Sequence, residues 1–345
     1  MHDSFRLHYY RHSLSNYGDE INGWLWESLA PGLWRDDAET LFCGIGTLID
    51  QTMPDAKKWV IFSSGVGYGP LPDSSILSKT TIACVRGPLS AKIMNLGSDA
   101  YVTDGAALLS YLPQCQPAPE SERHGIVFMP HHFGMDDVQL EEACAAAGIE
   151  YLSPRWESKA TTERLRTARL VIADAMHAAI VADTLRVPWI PVQTSSEINT
   201  FKWLDWTMSL DMPYNAIRLP SSSAVELIRN ATLPLRAGNF AVRDARPENA
   251  LRHYENYQKV RQTPWWIPRR NIVVGLHKHI AKPALTSGVA TPLRKFIDKR
   301  ALDATTEALR KAAGATSYLS DDRVFESKRD ELASRFKAVT GRIIQ

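Results

Sequence analysis

The order of its apolar runs constrains this chain more than any other feature. Short β-rich stretches alternate with helical patterns through the first two thirds of the sequence. Phe5–Tyr10 reads as a strand, a polar loop runs from Ser13 to Gly18, and a helix is expected from Asp19 to Leu29. Thr40–Cys43, Trp59–Ser63 and Thr81–Val85 read as three more strands, and Pro88 suits the first turn of a helix after the last of them. Ala100–Thr103 ends at Asp104, and Ala106–Leu112 reads as helical. Strands that alternate with helices imply an α/β fold with a parallel, doubly wound sheet.

The Pro-rich polar run Pro113 to Glu122 interrupts this rhythm as a linker would. Beyond it the alternation restarts, with strands at Gly125–Met129, Glu150–Leu152, Leu170–Ala173 and Trp189–Val192. Helices are expected at Asp136–Ala147, Thr161–Thr167 and Ala175–Leu185. We therefore expect two Rossmann-like domains, residues 1–115 and 124–220, joined by a linker at 116–123. Two such halves face a cleft that holds the ligand, the glycosyltransferase-B-like architecture by analogy of fold. From 221 to 345 the chain reads as a mostly helical extension. Its last part, Thr305–Ile344, is expected to form two amphipathic helices parted near Gly314.

Charge divides along the same boundary. The net charge is only +2, yet residues 1–230 carry 18 Lys and Arg against 27 Asp and Glu, and residues 231–345 carry 22 against 11. An acidic body with a basic tail suggests an anionic partner for the tail, or else a solvated helical surface. With 44% hydrophobic and 23% charged residues, disordered, collagenous and disulfide-framework classes drop out. Cys43, Cys84, Cys115 and Cys144 show no metal-ligand spacing and read as buried thiols in a reducing compartment. No signal-like run opens the sequence, and the most apolar stretch, Leu170 to Ala182, is short and carries Asp174 and His177. A cytoplasmic location is the expectation.

Parallel sheets bind ligands at the C-terminal ends of their strands, so the residues there are the candidates. Asn16, Asp19, Glu20 and Asn22 follow the first strand. They offer a general acid and hydrogen bonds to sugar hydroxyls, although Asp19 also suits a plain helix cap. Gly44-Ile-Gly46 and Gly65-Val-Gly-Tyr-Gly69 let backbone amides approach an anion, but neither matches a dinucleotide fingerprint. Arg86 sits before a helix start, as a phosphate or carboxylate receptor or as the ion-pair partner of an acid such as Asp104. In the second half His131, His132, Arg155 and His177 all lie at strand exits. No HxH or HExxH spacing favours a metal.

Taken in order, these segments resemble the polysaccharide pyruvyl transferases, most closely the succinoglycan and xanthan type of ketal-pyruvate transferase. The resemblance rests on Asn16-Tyr-Gly-Asp-Glu-Ile-Asn22-Gly-Trp-Leu-Trp26, Leu41-Phe-Cys-Gly-Ile-Gly-Thr47, Ser64-Gly-Val-Gly-Tyr-Gly69 and Val85-Arg-Gly-Pro-Leu89. It continues through Thr103-Asp-Gly-Ala-Ala107, Met129-Pro-His-His132, Asp174-Ala-Met-His-Ala-Ala-Ile-Val-Ala-Asp183 and Phe201-Lys-Trp-Leu-Asp-Trp206. It covers about residues 6–220. Ala175 and Ala178 stand where the wider family often has Arg and Gly, and Arg155 or Lys202 is expected to supply the missing positive charge.

The resemblance implies a glycosyltransferase-B-like fold and phosphoenolpyruvate as donor substrate, with no redox cofactor and no metal. Arg86, Arg155, His177 and Lys202 are then expected to bind the donor's two anionic groups, with His131, Asn16, Glu20, Asn22 and Asp104 also lining the substrates. His132 and Asp19 are expected to do the acid and base work, and His177 to protonate the departing phosphate. The acceptor in such pathways is an oligosaccharide on a lipid pyrophosphate at the cytoplasmic membrane face. Trp265-Trp-Ile-Pro-Arg-Arg270 and His277-Lys-His279 would then bring the tail to anionic lipid as a peripheral contact, unless the two Trp residues pack on the body. Nothing marks the tail as a nucleic-acid binder. Two alternatives share the composition: a nucleotide-sugar glycosyltransferase, and a non-catalytic scaffold of polysaccharide assembly.

Overall fold

A computed structural model of the chain describes residues 4–11, 13, 15–132, 138–236, 238–276, 279, 283, 287 and 291–344. The β-rich runs form two separate sheets whose paired strands are all parallel. The first contains β1 (Phe5–His8), β2 (Thr40–Cys43), β3 (Lys58–Ser64) and β4 (Thr80–Val85), with α1 (Tyr17–Glu20), α2 (Asn22–Leu29) and α3 (Ser74–Leu77) between them and α4 (Pro88–Ile93) after. The second contains β5 (His124–Met129), β6 (Glu150–Tyr151), β7 (Ala168–Ala173), β8 (Trp189–Gln193) and β9 (Ile217–Arg218). Its connections are α5 (Val138–Ala147), α6 (Ser158–Arg166), α7 (Met176–Thr184) and α8 (Thr200–Ser209). After it come α9 (Ala224–Thr232), α10 (Pro247–Arg261), α11 (Trp266–Leu276), α12 (Thr291–Ala313) and α13 (Asp322–Thr340).

The doubly wound expectation fits the second sheet, whose order β6-β5-β7-β8-β9 reverses direction at β5. It does not fit the first, whose order is simply β1-β2-β3-β4. The β2–β3 connection holds no helix, and the β3–β4 connection holds only the single turn of α3, so each strand is laid beside its predecessor. Two local expectations also change. The helix expected from Asp19 begins at Tyr17 and breaks at Ile21, where the Asn22 side chain takes the Asp19 carbonyl. The stretch Gly105–Tyr111 winds as a 3₁₀-helix, started by the Asp104 carboxylate accepting the Ala106 N–H. The start of the helix expected at Asp136 lies outside the described residues, as do His277 and Lys278.

The second sheet is buried on both faces, as parallel strands require. Val127, Met129, Val171, Ala173 and Trp189 point into one core, and their neighbours Phe128, Ile172 and Ile190 into the other. The first of these cores is continuous with that of the first sheet.

The tail is less separate than its charge suggests. Leu309 and Ala312 of α12 enter the core beneath Phe128 and Ile190, and Phe325, Leu332 and Phe336 of α13 enter the other. Phe336 stacks on Trp26 of α2 at 6.0 Å and meets Phe42 and Phe62 edge-on. The expectation of a wholly distinct surface-seeking extension therefore fails for these two helices, because their apolar stripes complete the body's cores. What stays exposed is the stretch around α11, where Trp265 is 79% accessible and Ile267, Ile272 and Leu276 are also exposed.

Candidate active site

The first sheet delivers its strand exits as turns closed tightly enough to bury a charge. Arg86, one residue past β4, is fully buried. Its Nε donates to Asp205 Oδ2 at 3.1 Å, and its Nη1 to the Gly46 carbonyl at 3.4 Å and Thr47 Oγ1 at 3.2 Å. Gly65 makes room for this guanidinium, since a Cβ there would overlap it. Asp205 on α8 also accepts from the Ser90 amide and hydroxyl, at 2.8 and 2.6 Å. The expected partner Asp104 is not the one Arg86 pairs with. Nη2 of Arg86 is buried with no partner among the described residues, so one strong donor pair remains uncommitted.

The second sheet brings His177, on the first turn of α7, against the first half. A Cβ on Gly18 of α1 would collide with its imidazole. His177 Nε2 is buried and lacks a partner among the described residues. Burial, together with the charges of Lys202 and Arg86, lowers this imidazole to about 3, so it is neutral near pH 7. Lys202, on α8 with Asp205, donates to the Tyr68 hydroxyl at 3.2 Å and lies over that ring. Lys202, one of the two cations expected to replace the charge missing at Ala175, acts electrostatically on His177. Arg155 is half-buried, beside Pro154, whose carbonyl accepts the Tyr17 N–H.

Two carboxyl groups near these cations are held in a titratable range. Burial raises Asp19 to about 6, against the pull of Lys202 and a 2.5 Å hydrogen bond from Asn16. Burial likewise raises Asp104 to about 6 against the charge of Arg86, and its Oδ2 has no partner among the described residues. His131 is driven well below the ordinary imidazole value by burial and by His132, Lys202, Arg229 and His177. The His131 and His132 rings lie 4.4 Å apart, and Asp174 fixes their loop by accepting the His131 N–H at 2.9 Å.

The structure thus gathers Asp19, Arg86, Asp104, His131, His132, His177 and Lys202. Asn16 joins through Asp19, whereas Glu20 accepts from Ser15. Asn22 holds the frame instead of facing a substrate. Its amide donates to the Asp19 and Ile45 carbonyls and accepts from Ile45 N–H and the Trp26 indole. Asp205 escaped the sequence reading, though a carboxylate three residues after Lys202 in an aromatic helix signals a buried partner. Ser63, which has a left-handed φ of 63° and a buried hydroxyl with no partner among the described residues, carried no such signal. Among the described residues no three His, Cys, Asp or Glu side chains are grouped to hold a metal ion.

No protein-family model matches the chain. It is similar to the succinoglycan biosynthesis protein ExoV of Rhizobium meliloti (strain 1021), with 34% identity over 247 residues that span 71% of this chain and 77% of that protein.

Proposed function

The chain belongs to the polysaccharide pyruvyl transferase family, of the succinoglycan type, and from that premise we propose that it forms a pyruvate ketal in exopolysaccharide biosynthesis. The donor is phosphoenolpyruvate and the acceptor is a sugar carrying two suitably spaced hydroxyls. One observation carries the reading. Where the strand exits of the two sheets meet, Arg86 Nη2 and His177 Nε2 are buried without partners among the described residues, beside Lys202. Such a set of uncommitted donors suits a small, multiply charged anion. The same meeting of strand exits supports the glycosyltransferase-B-like arrangement.

In this reading the donor's carboxylate and phosphate lie toward Arg86, His177 and Lys202, and Asp205 holds the Arg86 guanidinium in its plane. Asp19 in its protonated form delivers a proton to the enol methylene, which becomes a methyl group. One sugar hydroxyl adds to the adjacent carbon, the carbon–oxygen bond to phosphate breaks, and the second hydroxyl closes the ring. The two hydroxyls release two protons. One restores Asp19, and the other leaves through His132 with phosphate. His177 is neutral before the donor binds, so its part is first a hydrogen-bond donor. It protonates phosphate only if the anion's own charge raises its pKa. No step calls on a redox cofactor.

The acceptor's lipid carrier places the enzyme at the cytoplasmic membrane face, and the exposed Trp265, Ile267, Ile272 and Leu276 suit a peripheral contact there. No helix among the described residues is long and apolar enough to cross a membrane. Liposome flotation with anionic lipid, sensitive to salt, is the expected result, and no flotation removes the contact. The reaction itself is tested by mass spectrometry of lipid-linked oligosaccharides incubated with enzyme and phosphoenolpyruvate. An acid-labile pyruvyl adduct is expected. Glycosyl transfer from a nucleotide sugar with no such adduct replaces this reading by the glycosyltransferase alternative.

A further inference from the structure

Lys202 is the cation that most of the candidate site feels, since its charge acts on Asp19, Asp104, His131 and His177. It is held differently from Arg86. Asp205 pairs with the Arg86 guanidinium, whereas the Lys202 ammonium makes no ion pair among the described residues. Its Nζ instead donates to the Tyr68 hydroxyl at 3.2 Å and lies 4.7 Å from the centre of that ring. A phenol hydroxyl and its π-face hold an ammonium in place without cancelling its charge, as a carboxylate would. The Lys202 stem runs close past Gly67, where a Cβ would press on its Cγ and Cδ at 2.9 and 3.2 Å.

Tyr68 is itself fixed from outside the first sheet. A turn of sequence Gly67-Tyr-Gly69 has little intrinsic reason to keep one conformation. Its three successive carbonyls are each taken by a side chain from beyond the sheet. Asn199, the residue before α8, donates to the Gly67 carbonyl at 2.8 Å. From α10, Arg261 donates to the Tyr68 carbonyl at 2.8 Å, and Tyr254 and Gln258 donate to the Gly69 carbonyl at 2.9 and 3.2 Å. The Tyr68 ring meets Phe240 edge-on at 5.2 Å, and Phe240 in turn meets Tyr257 of α10 at 4.9 Å. A helix of the basic tail therefore braces the residue that carries Lys202.

We propose that Tyr68 is a positioning residue, which keeps the unneutralised Lys202 ammonium at the anion site, and that α10 holds Tyr68 there through Arg261, Tyr254 and Gln258. The site then has two cations of different kinds. Arg86 is clamped by a carboxylate, and Lys202 is cradled by a neutral ring with its full charge left for the ligand. The inference rests on the pyruvyl-transfer reading for the identity of that ligand, but the cradle acts on any small anion bound there.

Calorimetry tests this with phosphoenolpyruvate and, as a second probe, inorganic phosphate. The proteins are wild type, Tyr68→Leu, Tyr68→Phe, Lys202→Met and the double variant Tyr68→Leu/Lys202→Met. Tyr68→Leu loses both hydroxyl and ring and should weaken anion binding by about tenfold, and Tyr68→Phe, which keeps the ring, should weaken it less. Lys202→Met should weaken binding at least as much as Tyr68→Leu. The double variant should then bind no worse than Lys202→Met, because Tyr68 acts only through the ammonium. A merely structural Tyr68 would instead make the two losses multiply. Arg261→Met should weaken binding by about threefold in wild type and change nothing further in Lys202→Met. The proposal is overturned if wild type binds neither anion, if Tyr68→Leu keeps wild-type affinity, or if its loss multiplies with that of Lys202→Met. If the expected pattern appears with phosphate while wild type forms no pyruvyl adduct, the positioning role stands and the catalytic reading fails. If the adduct forms while the losses multiply, pyruvyl transfer stands and the role of Tyr68 falls.

Discussion

Beyond β2, β3 and β4 the first sheet ends in glycine turns packed round the buried Arg86 guanidinium, whereas beyond β5 and β7 the second ends in imidazoles held neutral. The Arg86 guanidinium is clamped by Asp205, Gly46 and Thr47. His131 and His177 are instead held neutral by burial and by the cations around them. On the proposed reading one half supplies a fixed guanidinium to the donor, and the other supplies neutral imidazoles together with Lys202. The difference explains why the glycines belong to the first half. A guanidinium packed this closely against a strand exit needs a position without a side chain, and Gly65 provides it, since a Cβ there would overlap Arg86.

Removing the fixed charge should have the largest effect. Arg86→Ala strands Asp205 in the core, so turnover should vanish and stability should fall by roughly 3–5 kcal/mol in chemical denaturation. The double variant Arg86→Ala/Asp205→Ala should recover stability without activity; recovered activity would break the distinction between the halves. His177→Ala should lower turnover by about 10²–10⁴-fold with little change in melting temperature, measured by phosphate release.

Asp104 sharpens the electrostatic side of the comparison. Its folded carboxyl is raised to about 6 from an ordinary 3.8, so its contribution to stability is fully present below the ordinary value and is lost as pH rises through 6. Asp104→Asn can still cap Ala106 but no longer titrates. Between about pH 4 and pH 7 the variant should gain on wild type by roughly 3 kcal/mol in denaturant midpoints. A constant difference across that range contradicts a neutral, buried Asp104. The smallest expected effect comes from Gly18→Ala, which displaces His177 without altering it and should cost up to about 10²-fold in turnover. Unchanged kinetics would mean that the contact between the halves does not position the imidazole.

Much of this arrangement was legible because parallel strands collect functional groups at their C-terminal ends. Asp19, Arg86, His131, His132 and His177 could each be placed at a strand exit from the sequence. The pairing of Arg86 with Asp205 could not, because 119 residues separate them and many acids offered an equivalent charge. Nor could the return of α12 and α13 to the body. An amphipathic stripe says that a helix buries one face, but Phe336 does not reveal that Trp26 is the ring it stacks on. Asn22 misled for a related reason. Its amide suits a sugar hydroxyl and a strand-exit turn equally well, and only the three-dimensional partners separate the two.

The central claim is that both halves complete one anion site. Calorimetric titration of phosphoenolpyruvate into wild type, His177→Ala and Arg86→Lys tests it most directly. The account predicts saturable binding to wild type, weakened by about tenfold or more in each variant, because each removes a donor from a different sheet. Wild-type affinity in either variant, or no binding to wild type at all, would contradict it.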